Sequence, residues 1–186
     1  MQSLLANESS KFNITKNDFV IGNEDAPITI IEYASMSCSH CADFHTNTLP
    51  ELKTEFIDTG KVRMVFRDYP FNYPALLGSM MLRCISRDVR YDYMNVLYKL
   101  QLNWVNQDPK ITKTELYKIM QSGGMTKEEF DTCYGNIDNE NMILEGVMAA
   151  QKDFNIKSTP SFIVNGNLLE GNKNIKEFRQ IIDKIL

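Results

Sequence analysis

Apolar and polar positions alternate in two different ways along the chain. Residues 28–35, ITIIEYAS, are β-branched and almost continuously apolar, which is typical of a strand covered on both faces. We therefore expect this strand to be central in a sheet. Residues 61–71 predict the next strand, and residues 14–22 predict a short edge strand.

A helix is predicted between the two longer strands. Residues 38–60 carry apolar side chains at helical spacing, namely Phe44, Leu49, Leu52 and Phe56. Pro50 predicts a kink in this helix, and Gly60 ends it. Strand, helix and strand form a βαβ unit, which implies a right-handed crossover and a parallel strand pair.

The pattern then becomes helical from residue 74 to about residue 156. Two capping-box patterns, starting at Thr112 and Thr126, predict helix starts in this region. Strand pattern returns at residues 160–171, where Asn165-Gly166 predicts a hairpin, and an amphipathic helix follows at residues 174–186.

These elements predict one α/β domain interrupted by a helical subdomain. The expected boundaries are 1–73 for the first part of the domain, 74–150 for the insertion and 151–186 for the last part. A formal charge of −4 with scattered lysines and arginines argues against nucleic acid as a partner. No apolar run is long enough to span a membrane, and the opening residues lack the pattern of an export signal. The protein is thus expected to be cytosolic or a mature exported form.

The densest chemistry lies in residues 35–45, SMSCSHCADFH. Cys38 begins the predicted helix, where unpaired backbone N–H groups and the helix dipole favour its thiolate. Cys41 lies one turn deeper on the same face, so it can reach the Cys38 sulfur while remaining shielded. This asymmetry predicts an attacking cysteine and a resolving cysteine.

We expect different roles for the two histidines of this segment, His40 and His45. The His40 ring could donate a hydrogen bond or partial positive charge to the Cys38 thiolate, which would make the disulfide more oxidising. The alternative is a solvent-facing residue of the first turn. His45 returns to nearly the same helical face as Cys38, and we interpret it as structural.

Two other uses of the cysteine pair are less consistent with the sequence. A zinc site needs two further ligands, whereas Cys84 and Cys133 lie alone within helical patterns. A purely structural Cys38–Cys41 crosslink would close a loop too short to constrain the unfolded chain much. No metal and no other cofactor is expected.

Glu32 is unusual because it shares one strand face with Ile28, Ile30 and Ala34. Burying a carboxylate without compensation is costly. The functional interpretation is a proton acceptor for Cys41 during resolution. The alternative is an acid near a sheet edge that contacts water.

Taken together, the order of these motifs resembles the thioredoxin superfamily, and more closely the DsbA family of bacterial thiol oxidases. The matching stretches are residues 32–35 (EYAS), 38–41 (CSHC) and 159–162 (TPSF). The resemblance implies a thioredoxin fold with a helical insertion. Many members of the family have proline where this chain has Ser39.

The resemblance also implies roles for individual residues. Cys38 is the nucleophile, Cys41 the resolving thiol and Glu32 the buried acid. Pro160 is a cis-proline, and its neighbour Thr159 pairs with the backbone of bound substrate.

The activity implied is donation of the Cys38–Cys41 disulfide to cysteine pairs of folding exported proteins. The chain is then a monomeric periplasmic enzyme in its mature form, which a DsbB-like, quinone-linked membrane oxidase recycles. A disulfide isomerase, a thioredoxin-like reductase and a non-enzymatic peptide-binding or chaperone module are the alternatives.

Cys84 and Cys133 are expected to form a second, structural disulfide. Both lie in predicted helices of the insertion, and free thiols tend not to persist where an exported oxidase works. Such a bond would also favour a periplasm-like location. The alternative is two separate buried thiols that act as small hydrophobic side chains.

Overall fold

In the computed structural model, which describes residues 14–186, five strands form one sheet. They are β1 (Phe19–Ile21), β2 (Ile28–Ala34), β3 (Val62–Asp68), β4 (Ser161–Val164) and β5 (Asn167–Glu170). Their order across the sheet is β1-β3-β2-β4-β5, with β2 and β3 parallel and the other neighbours antiparallel. Residues 1–13, with the expectations that concern them, lie outside the described residues.

Strand β2 is central, as its apolar run predicts. Ile28 and Ile30 pack into one buried cluster together with the helices on that side. Ile31 and Tyr33, which point to the opposite face, pack into another. The edge position of β1 and the hairpin between β4 and β5 are confirmed too, because Asn165 and Gly166 take the positive φ values, 41° and 96°, that a tight hairpin turn uses.

The predicted helix after β2 is continuous but not uniform. Helix α1 covers residues 39–57 and contains two α-helical segments, Ser39–Asp43 and Leu49–Leu52. Two π-helical segments, Phe44–Thr48 and Lys53–Ile57, alternate with them. Pro50 therefore stands just after a π-helical turn, in the first turn of an α-helical segment, where its missing N–H is tolerated.

A series of helices separates β3 from β4, which confirms the helical insertion. They are α2 (Tyr73–Cys84), α3 (Arg87–Lys99), α4 (Gln101–Trp104), α5 (Pro109–Ser122), α6 (Lys127–Tyr134) and α7 (Ile137–Phe154), and α8 (Ile175–Asp183) follows the hairpin. None of the helices within residues 14–186 combines the length and apolar character needed to cross a membrane.

Of the two predicted capping boxes, one is correct and one is wrong. Thr126 and Glu129 form a reciprocal capping box at the start of α6. Thr112 instead lies inside α5, whose N-cap is Asp108. The Thr112 hydroxyl donates to the carbonyl oxygen of Asn106 at 2.9 Å, so it fastens the loop before the helix rather than capping it.

Cys84, the last residue of α2, is joined to Cys133 of α6 by a disulfide bond that spans 49 positions of sequence. Cys133 is buried, whereas Cys84 is exposed. The bond holds two helices of the insertion together.

Candidate active site

The Cys38 sulfur lies where β2 ends and α1 begins. Cys38 is the N-cap residue of α1 and is half-buried. A hydrogen bond from the Cys41 thiol lowers the pKa of Cys38 most, and Thr159 and the backbone N–H groups of Cys41 and His40 lower it further. These effects outweigh burial, and they bring the pKa from 9.0 to about 5.

Cys41 has the opposite character. It is fully buried, and burial is the largest cause that raises the pKa of its thiol far above the ordinary value. Its hydrogen bond to Cys38 and the negative charge of Glu32 act in the same direction. The two sulfurs therefore differ in exposure and in acidity: Cys38 is half-buried with a lowered pKa, and Cys41 is buried with a raised pKa.

The loop before β4 faces this pair. The Thr159–Pro160 peptide bond is cis, and both residues are buried. Cys38 Sγ lies 3.3 Å from the Thr159 carbonyl oxygen, across 121 positions of sequence. Strand pairing explains the approach, because β4 runs antiparallel to β2 with Ser161 opposite Tyr33. Thr159, Pro160 and the cysteine pair thus meet at one end of the sheet.

Glu32 is buried in the centre of the sheet and not near an edge. Its partner is His45, whose Nε2 lies 3.0 Å from Glu32 Oε2. The His45 ring also stacks on Tyr98 of α3, with ring centroids 4.1 Å apart. Sequence reasoning treated His45 as structural and did not pair it with Glu32. The sequence features that could have indicated this pair are an acid within an apolar strand and a histidine on the apolar face of the next helix.

His40 is exposed, and the structure gives its ring no hydrogen bond or ion pair among residues 14–186. Its backbone N–H, not its imidazole, is one of the groups that lower the pKa of Cys38. Of the two interpretations of His40, this geometry matches the solvent-facing residue of the first turn.

Gln101 was missed altogether by sequence reasoning. Its side-chain Nε2 donates to the carbonyl oxygens of Met36 and Cys38, at 2.9 and 3.0 Å. The buried amide of α4 thereby fixes the segment that leads into the cysteine pair. No pattern in the sequence distinguishes this glutamine from a surface residue, since its role arises only when the insertion packs against the sheet.

The described part of the chain contains no group of three or more His, Cys, Asp or Glu side chains that could hold a metal ion. The two sulfurs are the reactive groups of the site. An accessible thiolate next to a buried thiol can exchange disulfides with another molecule.

Comparisons with known proteins agree with this geometry. The thioredoxin family model matches residues 14–184. A Rickettsia bellii protein, provisionally named a protein-disulfide oxidoreductase, is 33% identical over 177 residues, covering 94% of this chain and 67% of that protein. The chain spans 62 to 67% of the length of the five Rickettsia relatives that it matches.

Solved structures of related proteins share the fold of this chain. The crystal structure of Wolbachia pipientis alpha-DsbA1 superposes with a TM-score of 0.89 at 27% identity, covering 96% of this chain and 95% of that one. BdbD from Bacillus subtilis shares the fold, with a TM-score of 0.75 at 24% identity. The superposition covers 91% of this chain and 93% of the BdbD chain. The chain therefore belongs to the thioredoxin superfamily and, within it, to the DsbA-like thiol:disulfide oxidoreductases.

Proposed function

We propose that this protein donates the Cys38–Cys41 disulfide to pairs of cysteines in folding exported proteins. The observation that carries the proposal is the contrast between the two sulfurs. A thiolate that is stabilised only in the reduced protein makes the reduced form favourable, and hence makes the disulfide a good oxidant. The half-buried Cys38, with its pKa of about 5, is such a group.

The exchange proceeds in two steps. A substrate thiolate attacks Cys38 Sγ, a substrate–Cys38 disulfide forms, the Cys38–Cys41 bond breaks and the Cys41 sulfur leaves with the electron pair. Because burial disfavours the Cys41 thiolate, this sulfur takes a proton, for which Glu32 is the proposed exchange partner. A second substrate thiolate then attacks the substrate sulfur, a substrate disulfide forms and Cys38 leaves as a thiolate.

The loop of Thr159 and Pro160 is proposed to guide the substrate. A peptide attached to Cys38 Sγ must pass this loop, because the Thr159 carbonyl oxygen is 3.3 Å from that sulfur. Backbone pairing with Thr159 would orient the substrate much as a strand adds to a sheet edge.

An exported, periplasm-like location is part of the proposal, and the Cys84–Cys133 disulfide supports it, since such bonds persist in oxidising compartments. Recycling by a DsbB-like, quinone-linked membrane oxidase would complete the cycle. His40 is proposed to influence the Cys38 sulfur mainly through its backbone N–H.

Three assays run side by side test the direction of the reaction. The oxidised protein should rapidly oxidise a peptide that contains two reduced cysteines, while it should catalyse insulin reduction by dithiothreitol only slowly. Cys38→Ser is the matched control and should be inactive in both. Faster insulin reduction would favour a reductase, and efficient reactivation of a scrambled disulfide protein would favour an isomerase. Peptide binding without any thiol exchange would favour a chaperone.

A further inference from the structure

The exchange steps above use Glu32 but leave its partner His45 without a role. The side chains of His45 and Glu32 are 1% and 0% exposed, and their Nε2 and Oε2 atoms are 3.0 Å apart. The other polar atom of each side chain, His45 Nδ1 and Glu32 Oε1, is buried and has no hydrogen-bond partner within the described residues. Burying such a pair carries a desolvation cost, which is offset only if the surrounding residues hold the two groups in good geometry.

The number of protons on this pair decides its net charge. A neutral imidazole beside the carboxylate leaves one uncompensated negative charge in the core. One additional proton, held by either partner, makes the pair neutral overall. An uncompensated charge at this buried position is strongly unfavourable, so a proton on the pair matters to the energy of the site.

The groups that face His45 come from three elements. Glu32 faces it from β2 and Tyr98 from α3, while Phe66 of β3 contributes an apolar ring 5.7 Å away. On the helix of His45 itself, Cys41 stands four positions earlier. The described ion pairs give Glu32 no lysine or arginine.

Tyr98, which stacks on His45, is itself affected by the charges around it. Tyr98 is fully buried, and burial is the main cause that raises the pKa of its hydroxyl. Cys41, Glu32, Asp68 and Cys38 raise it further through their charges. All four of these charges are negative when ionised, so a thiolate at Cys41 would add to an already unfavourable set.

We propose that His45 is a positioning residue that acts through Glu32 and stores the proton exchanged with Cys41. When a substrate thiolate attacks Cys38 Sγ, the Cys38–Cys41 bond breaks and the Cys41 sulfur leaves with the electron pair. That sulfur takes one proton from the Glu32–His45 pair, so the negative charge that the substrate thiolate brings ends on the pair instead of on the Cys41 sulfur. In the reverse step, Cys41 returns this proton as its sulfur attacks the Cys38–substrate disulfide.

This inference rests on the proposed function, and the test separates the two. Oxidised wild type and His45→Gln would be mixed with dithiothreitol from pH 5 to pH 8, with acid quenching and thiol alkylation to measure reduction of Cys38–Cys41. Glutamine keeps an N–H donor for Glu32 but cannot take up a proton. After division by the thiolate fraction of dithiothreitol, the wild-type rate should show an inflection and fall as the pH rises from 5 to 8. His45→Gln should lose this inflection and be slower by about tenfold or more at the acid end of the range.

His40→Gln is the matched control, because it removes the other histidine by the same substitution from an exposed position. The inflection should persist in this variant. Its loss there, or an unchanged pH profile in His45→Gln, would overturn the inference while leaving the oxidase proposal intact. A wild type whose cysteine pair does not react with dithiothreitol would overturn the proposed function itself.

A second measurement distinguishes proton storage from a general effect on the site. In a Cys41→Ala background, a preformed disulfide between Cys38 and glutathione would be cleaved by dithiothreitol, so that Cys38 is the leaving sulfur. Adding His45→Gln should slow this reaction far less than it slows reduction of the intact pair. Equal slowing would show that His45 only supports the fold around Cys38. If His45→Gln does not fold, Glu32→Gln should lose the same inflection, and its retention would be equally contradictory.

Discussion

Ionisation of Cys38 should make the reduced protein more stable as the pH rises from 5 to 7. The folded-state pKa of Cys38 is about 5, whereas its ordinary value is 9.0. A lowered pKa contributes stability that is complete above the unfolded pKa and is lost as the pH falls through the folded pKa. At pH 5 Cys38 is already half ionised in the folded protein, so the gain from pH 5 to pH 7 is about 1.7 units, or about 2.3 kcal/mol.

Solvent screening reduces this value, because the Cys38 sulfur is only half-buried. We therefore expect a gain of about 1.2 kcal/mol in the free energy of unfolding, half of the unscreened figure. Cys41 does not interfere in this range: its pKa is raised, so its contribution is lost only as the pH rises above the ordinary thiol value of 9.0.

Urea unfolding of the reduced protein at pH 5 and at pH 7 measures the gain, with Cys38→Ser as the reference that lacks the ionisation. The difference between the two proteins should grow with pH by the amount given above. Parallel pH dependences of wild type and Cys38→Ser would refute the reasoning. The oxidised protein has no Cys38 thiolate, so at pH 7 it should melt at a lower temperature than the reduced protein.

The other predictions concern the remaining cysteines and the residue between the active pair. Cys41→Ala should accumulate substrate disulfides through Cys38, visible by mass spectrometry under non-reducing conditions, and Cys38→Ala should accumulate few; equal amounts would contradict the assigned roles. Ser39→Pro should hardly change the pH at which thiolate absorbance appears, because the Ser39 N–H is not among the groups that lower the pKa of Cys38 and proline is tolerated at the first helical position. A large shift would mean that this N–H contributes. Replacing Cys84 and Cys133 by alanine should lower the free energy of unfolding by about 2 to 4 kcal/mol, and thiol counting on the denatured, unreduced protein should find no reactive thiol at either position in wild type.

The sequence predicts an element of the fold correctly where the pattern of a few neighbouring residues is enough to define that element. The isoleucines of β2 fill two separate clusters on the two faces of the sheet, and a continuous apolar run predicts that arrangement. The turn at Asn165-Gly166 needs positive φ at both positions, which these residue types supply with little strain. Such features depend on the backbone geometry of a few neighbouring residues.

The sequence was less informative where a contact depends on how elements pack. His45 meets Glu32 only because α1 lies across β2, and the π-helical turn Phe44–Thr48 that carries His45 was not predicted. The same is true of Gln101, whose two acceptors belong to a segment 63 or more positions away. The capping box predicted at Thr112 was wrong for a local reason, because Asp108 and Pro109 begin α5 before Thr112 is reached.

The long sequence distance between Cys38 and Thr159 has a consequence for the newly made chain. Synthesis proceeds from the N-terminus, so both active cysteines emerge while the last quarter of the protein, including β4, does not yet exist. At that stage the strand that pairs with β2 on this side and the carbonyl oxygen that approaches the Cys38 sulfur are still absent. The loop that faces the cysteine pair is therefore added last, when the C-terminal strand joins the sheet. A growing chain would carry the cysteine pair without the Thr159–Pro160 loop that faces it, and only the finished molecule would carry the complete site.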